Sequence, residues 1–438
     1  MTRRGAAPTT RRLLPNRSRR AVAGLAAAAV LLAACSSPSA TSSRHRPGRT
    51  TRASTAPVSA RSSLPPGTPA WLAALERKAA GSPSYLQPGS NPSVLPGPVL
   101  IADRNNSRLL LVDPKGQILW QYPPPGTPTT SAFRAPDDAF FGPNGKEIIA
   151  TEESNFAIST IALHRTPKGS QPVTGSVTWT YGNPGVPGSV ANELDNPDDA
   201  MLLPNGDVLT ADIKNCRILL IHHGAHAPAH IYGETTPYCY HQPPARFGSP
   251  NGVFPMTNGN YLVTEINGDW VDEMTPSGAI LWSTHPPGFS YPSDSNEVSP
   301  GVFVSVDYTK PGGLETFNQQ GQVLWRYTPT SPSGVLDEPS LALPLPNGDF
   351  LVNDDYNHRV IVIDPHTNQI VWQYGHTGVP GSAPGYLDKP DGVDLAPPFS
   401  LLVTHAATMG LPPAGLAPPP PGLGAPTSGS PASGGTSP

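Results

Sequence analysis

One string occurs nearly twice in this chain. Residues 346–364 read PNGDFLVNDDYNHRVIVID, and residues 204–221 read PNGDVLTADIKNCRILLI. Repetition constrains a fold strongly, because each copy has to build the same supersecondary unit. The unit opens on Pro followed by a small polar residue: Pro136-Asp137, Pro197-Asp198, Pro250-Asn251, Pro292-Ser293, Pro339-Ser340 and Pro390-Asp391, at spacings of 42 to 61 residues. A short apolar strand follows, then an Asn-Gly turn at Asn144, Asn205, Asn258 and Asn347. Asn-Gly supports positive φ at both centres, which predicts tight two-residue hairpins. The second strand ends in an acid: Asp103, Glu152, Asp212, Glu265, Asp307 or Asp354. Three copies continue as acid-x-x-Asn-x-Arg, ending at Arg108, Arg217 and Arg359. The fourth strand carries Trp120, Trp179, Trp282, Trp325 or Trp372, with His230 in that place in the third unit.

Four antiparallel strands in about 40–50 residues is the arithmetic of a β-propeller blade. One blade cannot bury its own faces, so stacking must supply the core. The fold class is therefore all-β, a six-bladed β-propeller. Residues 98–122 offer only a second, third and fourth strand, and PDGVDLA from Pro390 supplies the missing first, so the ring closes between N- and C-terminal strands. Seven blades is the alternative, because SLLVTHA at 400–406 reads as a surplus strand. A short N-terminal helix is predicted over 68–81. Thr68 is its expected cap, Gly81 its stop, and Trp71 and Leu75 share one face.

The acid-x-x-Asn-x-Arg strand pair resembles NHL-repeat propellers. The Trp-bearing fourth strand resembles quinoprotein-like (PQQ-like repeat) and arylsulfotransferase-like propellers. The resemblance spans roughly residues 95–405 and implies the fold. Arylsulfotransferase-like relatives use a catalytic His, but Asp198-Asp199 and Ser340-Leu341 stand at the corresponding places here, which speaks against sulfotransfer. The repeated Trp residues read as inter-blade packing. No special set of polar ligands accompanies them, so no quinone is expected.

The ends carry a different signal. Residues 1–20 hold seven Arg and no acid, and the apolar run AVAGLAAAAVLLAAC ends at Cys35. A basic segment, a short apolar segment and small residues before the break make residues 1–34 a signal peptide. LAAC resembles a bacterial lipobox, which implies lipidation of Cys35 and attachment to membrane lipid on the outer face of a bacterial cell membrane. A plain signal peptide or a marginal membrane anchor is the alternative. Residues 35–67 read as a disordered Ser/Thr/Pro/Arg tether, 68–94 as helix and lead-in, 95–410 as propeller and 411–438 as a disordered Pro/Gly/Ser tail.

Charge divides along the same line. The first 61 residues hold 12 Arg and no acid, leaving 16 basic against 32 acidic residues and a formal net charge of −16 for the rest. That argues against a nucleic-acid partner, whose binders need a basic stripe. It favours neutral or cationic ligands, or a divalent metal. The Arg residues of the tether suit anionic lipid headgroups.

The residue after each Pro begins an innermost strand, so Asp137, Asp198, Asn251, Ser293, Ser340 and Asp391 should ring one mouth of the channel. Asp137, Asp198 and Asp391, with an amide and two hydroxyls, suit a hard cation such as Ca²⁺ or a polar ligand. Equally, a wet channel mouth simply requires polar residues. The strand-end acids read as structural, paired with their Asn and Arg. His222, His223, His226 and His230 lie in a turn on the opposite face, and alternate side chains diverge, so no zinc set is expected there. His405 and His241 are the candidate general bases. Cys216 and Cys239 lie in two loops on one face of one blade and are expected to form a disulfide. The reading that results is an exported, lipid-anchored module, a monomer, binding a small molecule, glycan or protein through its loop-rich face. Its rival is a metal-assisted lyase or hydrolase, or an arylsulfotransferase-like enzyme, at the channel mouth.

Overall fold

Each repeat folds as one four-stranded antiparallel sheet in the computed structural model, which describes residues 65–130, 132–164 and 174–402. Blade 2 is Ala139–Phe141, Glu147–Glu152, Ala157–His164 and Thr174–Gly182; blade 3 is Pro197–Leu202, Asp207–Asp212, Arg217–His222 and Pro228–Tyr232. Blade 4 is Pro250–Pro255, Tyr261–Glu265, Trp270–Met274 and Ile280–Thr284. Blade 5 is Pro292–Ser299, Val302–Asp307, Gly313–Asn318 and Val323–Arg326; blade 6 is Pro339–Pro344, Phe350–Asp354, Arg359–Asp364 and Gln369–Gly375. Blade 1 is composite. Its strands Val99–Asp103, Arg108–Val112 and Ile118–Tyr122 take Pro390–Leu395 as the innermost strand, with Val99 opposite Leu395 and Ile101 opposite Val393. Six blades closed across the termini is the predicted architecture. The surplus strand at 400–406 is not formed where it is described: Leu401 and Leu402 are helical, and Leu401 N donates to Asp394 Oδ1 at 3.0 Å. Residues 403–406, and with them His405, lie outside the described residues.

The blades stack face to face. Runs such as Arg108–Val112 and Arg359–Ile363 are buried at every residue rather than alternately, because both sheet faces meet neighbours. The Trp strands pack toward the next blade. Trp179 Nε1 donates to Ala225 O at 3.1 Å, Trp372 Nε1 to Pro114 O at 2.8 Å, and Trp325 stacks on Phe350 at 5.4 Å. In blade 3, His230 holds the Trp register position, but Tyr232 makes the reach, its hydroxyl donating to Pro276 O at 2.8 Å.

The Asn-Gly turns differ from the expected two-residue hairpins. Only the glycines have positive φ, 90° at Gly206 and 91° at Gly348. Gly206 N donates to Leu203 O at 2.9 Å and Leu203 N to Asp207 O at 2.7 Å, so the loop is Pro204-Asn205-Gly206. Pro fixes a negative φ and starts a type I turn, Gly takes the left-handed position after it, and Asn205 Oδ1 accepts Asp207 N at 3.0 Å.

The helix runs over Ala70–Ala79 and buries Trp71, Leu72, Leu75 and Ala79 against blades 1 and 2 at the propeller's edge. Thr68 is not its cap: its hydroxyl donates to Pro65 O at 2.7 Å. Downstream, Gln87 N donates to Gln373 O and Asn91 N to Val371 O, so the lead-in covers the outer edge of blade 6.

Candidate functional site: the acidic channel mouth

The strand-end acids organise the loop face. In blade 6, Asp354 accepts Asn357 Nδ2 at 2.9 Å, Arg359 Nε at 2.7 Å and the Asp337 backbone N–H at 2.7 Å. Arg359 Nη1 also donates to Ser333 O at 2.9 Å, in the loop from blade 5. Blades 1 and 3 repeat this with Asp103/Asn106/Arg108 and Asp212/Asn215/Arg217. Each clamp fixes an inter-blade loop and thereby sets the Pro that opens the next inner strand. Arg217 is further confined by the disulfide between Cys216 and Cys239, whose Cα atoms are 5.0 Å apart.

The six predicted ring residues do converge. All are nearly buried. Asn251 Nδ2 donates to Ser293 Oγ at 3.0 Å, and Ser340 Oγ donates to Asp391 O at 2.7 Å. Asp137 and Asp391 both pair with the Arg104 guanidinium, which also pairs with Glu153. Of the three carboxylates grouped from the sequence as a metal set, Asp137 and Asp391 are held by Arg104, while Asp198 keeps its donor oxygen within 4.8 Å of those of Asp137 and Asp138.

A second tier lies one residue further along the inner strands, at Asp138, Asp199 and Asp294. Gly252 and Gly392 occupy the same register position in other blades. A Cβ at Gly252 would lie 2.5 Å from Asp294 Oδ1, and one at Gly392 would lie 2.5 Å from Asp138 Oδ1. The glycines therefore make the space into which these carboxylates reach. Two acidic trios result, Asp137/Asp138/Asp198 and Asp138/Asp199/Asp294, with donor oxygens within 4.8 Å of one another. The Oδ1 atoms of Asp138, Asp199 and Asp294 and the Thr264 hydroxyl are buried without a hydrogen-bond partner.

Crowding has a clear electrostatic result. Burial, then repulsion from neighbouring carboxylates, pushes Asp138, Asp198, Asp199, Asp294 and Asp355 well above the usual carboxylate range. Asp137 is pushed the same way by burial, against the pull of Arg104. Burial also disfavours ionised Asp391, but Arg104 and hydrogen bonds from Asp137 and Asp355 win and hold it below that range.

Sequence reasoning missed Arg104 and the second tier. The tier had a signal, Pro-Asp-Asp at 136–138 and again at 197–199. Arg104 had one too: it follows a strand-end acid, the place held by Glu153, Ile213, Ile266, Tyr308 and Asp355 in the other copies.

The histidines separate. His222 Nδ1 lies 2.6 Å from Asp207 Oδ1, His223 Nε2 3.2 Å from Thr160 Oγ1 and His226 Nδ1 3.0 Å from Asn192 Oδ1, so they share no centre. His241 is off the ring, beside Glu265 and Asp272. Among the described residues no histidine pairs with a ring carboxylate. Cys35 lies outside the described residues.

No family model matches the sequence, and none of the curated proteins does. Solved structures do resemble it. A protein of unknown function from Bacteroides caccae is 16% identical, covering 68% of this chain and 97% of its own, with a TM-score of 0.45. A nidogen/laminin complex is 15% identical over 68% of this chain and 98% of its own (TM-score 0.46), and a streptogramin B lyase is 14% identical over 68% and 87% (TM-score 0.42). At such values no chemistry transfers; the propeller assignment stands on this chain's own strand order and closure.

Proposed function

We propose that this chain is an exported, lipid-anchored binding module that takes a cation at its channel mouth, a hard divalent ion such as Ca²⁺ or the cationic group of a small ligand. One observation carries the reading. Arg104 pairs with only Asp137, Asp391 and Glu153, while Asp138, Asp198, Asp199 and Asp294 crowd beside them, and no Lys or Arg forms an ion pair with those four among the described residues. Oxygen-only donors suit Ca²⁺ rather than a softer metal. The second tier, not Asp137 with Asp391, is the ion's place, because Arg104 already holds those two. Lyase or hydrolase chemistry is less favoured, since no described histidine pairs with the ring. Anchoring rests on the LAAC sequence at Cys35; no helix among the described residues is long and apolar enough to cross a membrane.

Calcium titration of the metal-stripped full chain tests the site. Ca²⁺ should bind stoichiometrically, and at a hundredfold excess over its Kd should stabilise the fold by about 2.7 kcal/mol. Asp138→Asn with Asp199→Asn should abolish both effects. A chain that takes up no Ca²⁺ and no cationic ligand refutes the reading. Cys35→Ala should move the protein from the membrane fraction to the soluble one.

A further inference from the structure

Blade 4 departs from blades 1, 3 and 6 at the clamp. In blades 1, 3 and 6 the strand-end acid is neutralised by an Arg five residues on. In blade 4 that residue is Trp270, and the acid is Glu265. No Lys or Arg pairs with Glu265 among the described residues. A second carboxylate arrives instead: Asp272, two residues beyond Trp270, where blades 1, 3 and 6 have Leu110, Leu219 and Ile361. Glu265 and Asp272 are both fully buried. Neither oxygen of Asp272 has a well-directed hydrogen bond, although Glu265 and Ser283 stand beside it.

The third member is His241. The loop that carries it is fixed at Cys239 by the disulfide, and Cys239 O accepts Asn267 Nδ2 at 3.1 Å. The imidazole stacks on Trp270, ring centroids 4.0 Å apart and planes within 10°. That stacking aims Nδ1 at the acids, 3.2 Å from Glu265 Oε1 and 3.9 Å from Asp272 Oδ2. Gly248 N holds the other Glu265 oxygen. The His241 side chain is 17% exposed, so the group opens to solvent on one side only.

We propose that His241, Glu265 and Asp272 form a binding site for a borderline divalent metal ion of the Zn²⁺ class. Blades 1, 3 and 6 put a guanidinium against the same acid, while blades 2 and 5 satisfy theirs with backbone N–H, Asn, Ser or Thr donors; in blade 4 the acid faces a second carboxylate and an imidazole instead. One imidazole and two carboxylates are donors that Zn²⁺ accepts, and three protein ligands with one open side match an incomplete tetrahedron. Bonds of about 2.0–2.2 Å place tetrahedral donors about 3.3 Å apart. The His241–Glu265 separation already meets this, and Asp272 needs a movement of under about 1 Å. The site is distinct from the oxygen-only channel tier in ligands and in metal class.

The test uses the full chain, stripped with chelator, with Zn²⁺ alone as probe by calorimetry and Co²⁺ alone by its visible absorption. One equivalent of Zn²⁺ should bind, and Co²⁺ should give an intense four-coordinate spectrum. His241→Ala and Asp272→Asn should each weaken Zn²⁺ on the order of 100-fold or more. Glu265→Gln serves if either variant fails to fold, judged by circular dichroism and an intact disulfide. Ca²⁺ uptake at the channel should survive His241→Ala, so either site can fail without the other. Absence of stoichiometric Zn²⁺ in the unmodified chain, or equal affinity in the variants, overturns the proposal.

Discussion

Replacing Arg359 by Met tests whether the clamps hold the ring together. Arg359 is 1% exposed, and its partner Asp354 is fully buried. The substitution keeps most of the aliphatic volume but removes the bond to Asp354 at 2.7 Å and those to Ser333 O at 2.9 Å and Thr377 Oγ1 at 3.0 Å. Breaking one side of a buried ion pair costs about 3–5 kcal/mol, mostly because the remaining charge is stranded. Asp354 keeps Asn357 Nδ2 and the Asp337 N–H, so the loss should fall at the lower end, about 3 kcal/mol. With a urea slope near the upper end of the usual range, about 3 kcal/mol per molar, the midpoint should drop by roughly 1 M. Adding Asp354→Asn removes the stranded charge while leaving an oxygen for Asp337 N, so the double variant should be more stable than Arg359→Met alone. Urea unfolding followed by circular dichroism reads both. A loss under about 1 kcal/mol, or a double variant weaker than the single, would refute a clamp held by charge.

Two further outcomes follow from the same structure. Cys216→Ala with Cys239→Ala opens a closed segment of 24 residues, which should cost about 3 kcal/mol by chain entropy; thermal melts with and without reductant measure it, and an unchanged midpoint would assign the loop entirely to the Arg217 clamp. Asp394 is raised to about 7 by burial, against hydrogen bonds from the Leu401, Phe141 and Leu395 backbones. Its folded value exceeds its unfolded one, so the native state binds the proton more tightly, and this contribution falls as pH rises from about 4 to about 7. Asp394→Asn should flatten the stability profile across that window, and an unaltered slope would show that Asp394 does not titrate there.

Much of this was legible because a repeat states each position several times. Pro390 completed blade 1 on that logic, and the residues after each Pro converge as their shared register requires. Asn-Gly misled in three of the four turns because its usual hairpin was read without the preceding Pro, which commits the turn to negative φ before Asn is reached; the fourth, after Thr257, takes the same geometry without it. Arg104 was invisible for a different reason: only one copy in six has a cation there, and a repeat argument discards what does not repeat. Asp138, Asp199 and Asp294 were hidden by alternation. A residue next to a ring position is expected to point into a blade, but the missing side chains of Gly252 and Gly392 leave room for carboxylates. The His241 trio required three segments that only the folded loop brings together.

Closure by Pro390–Leu395 has a consequence for how the protein is made. The first sheet cannot be finished until the last has been synthesised, so contacts between the two ends of the domain form late and slowly. Until then blade 1 exposes an unpaired strand edge, and the growing chain has no locked shape. Stopping synthesis before residue 390 would leave an unlatched fan of five complete sheets and a three-stranded first one, vulnerable to proteases and prone to pair with another chain.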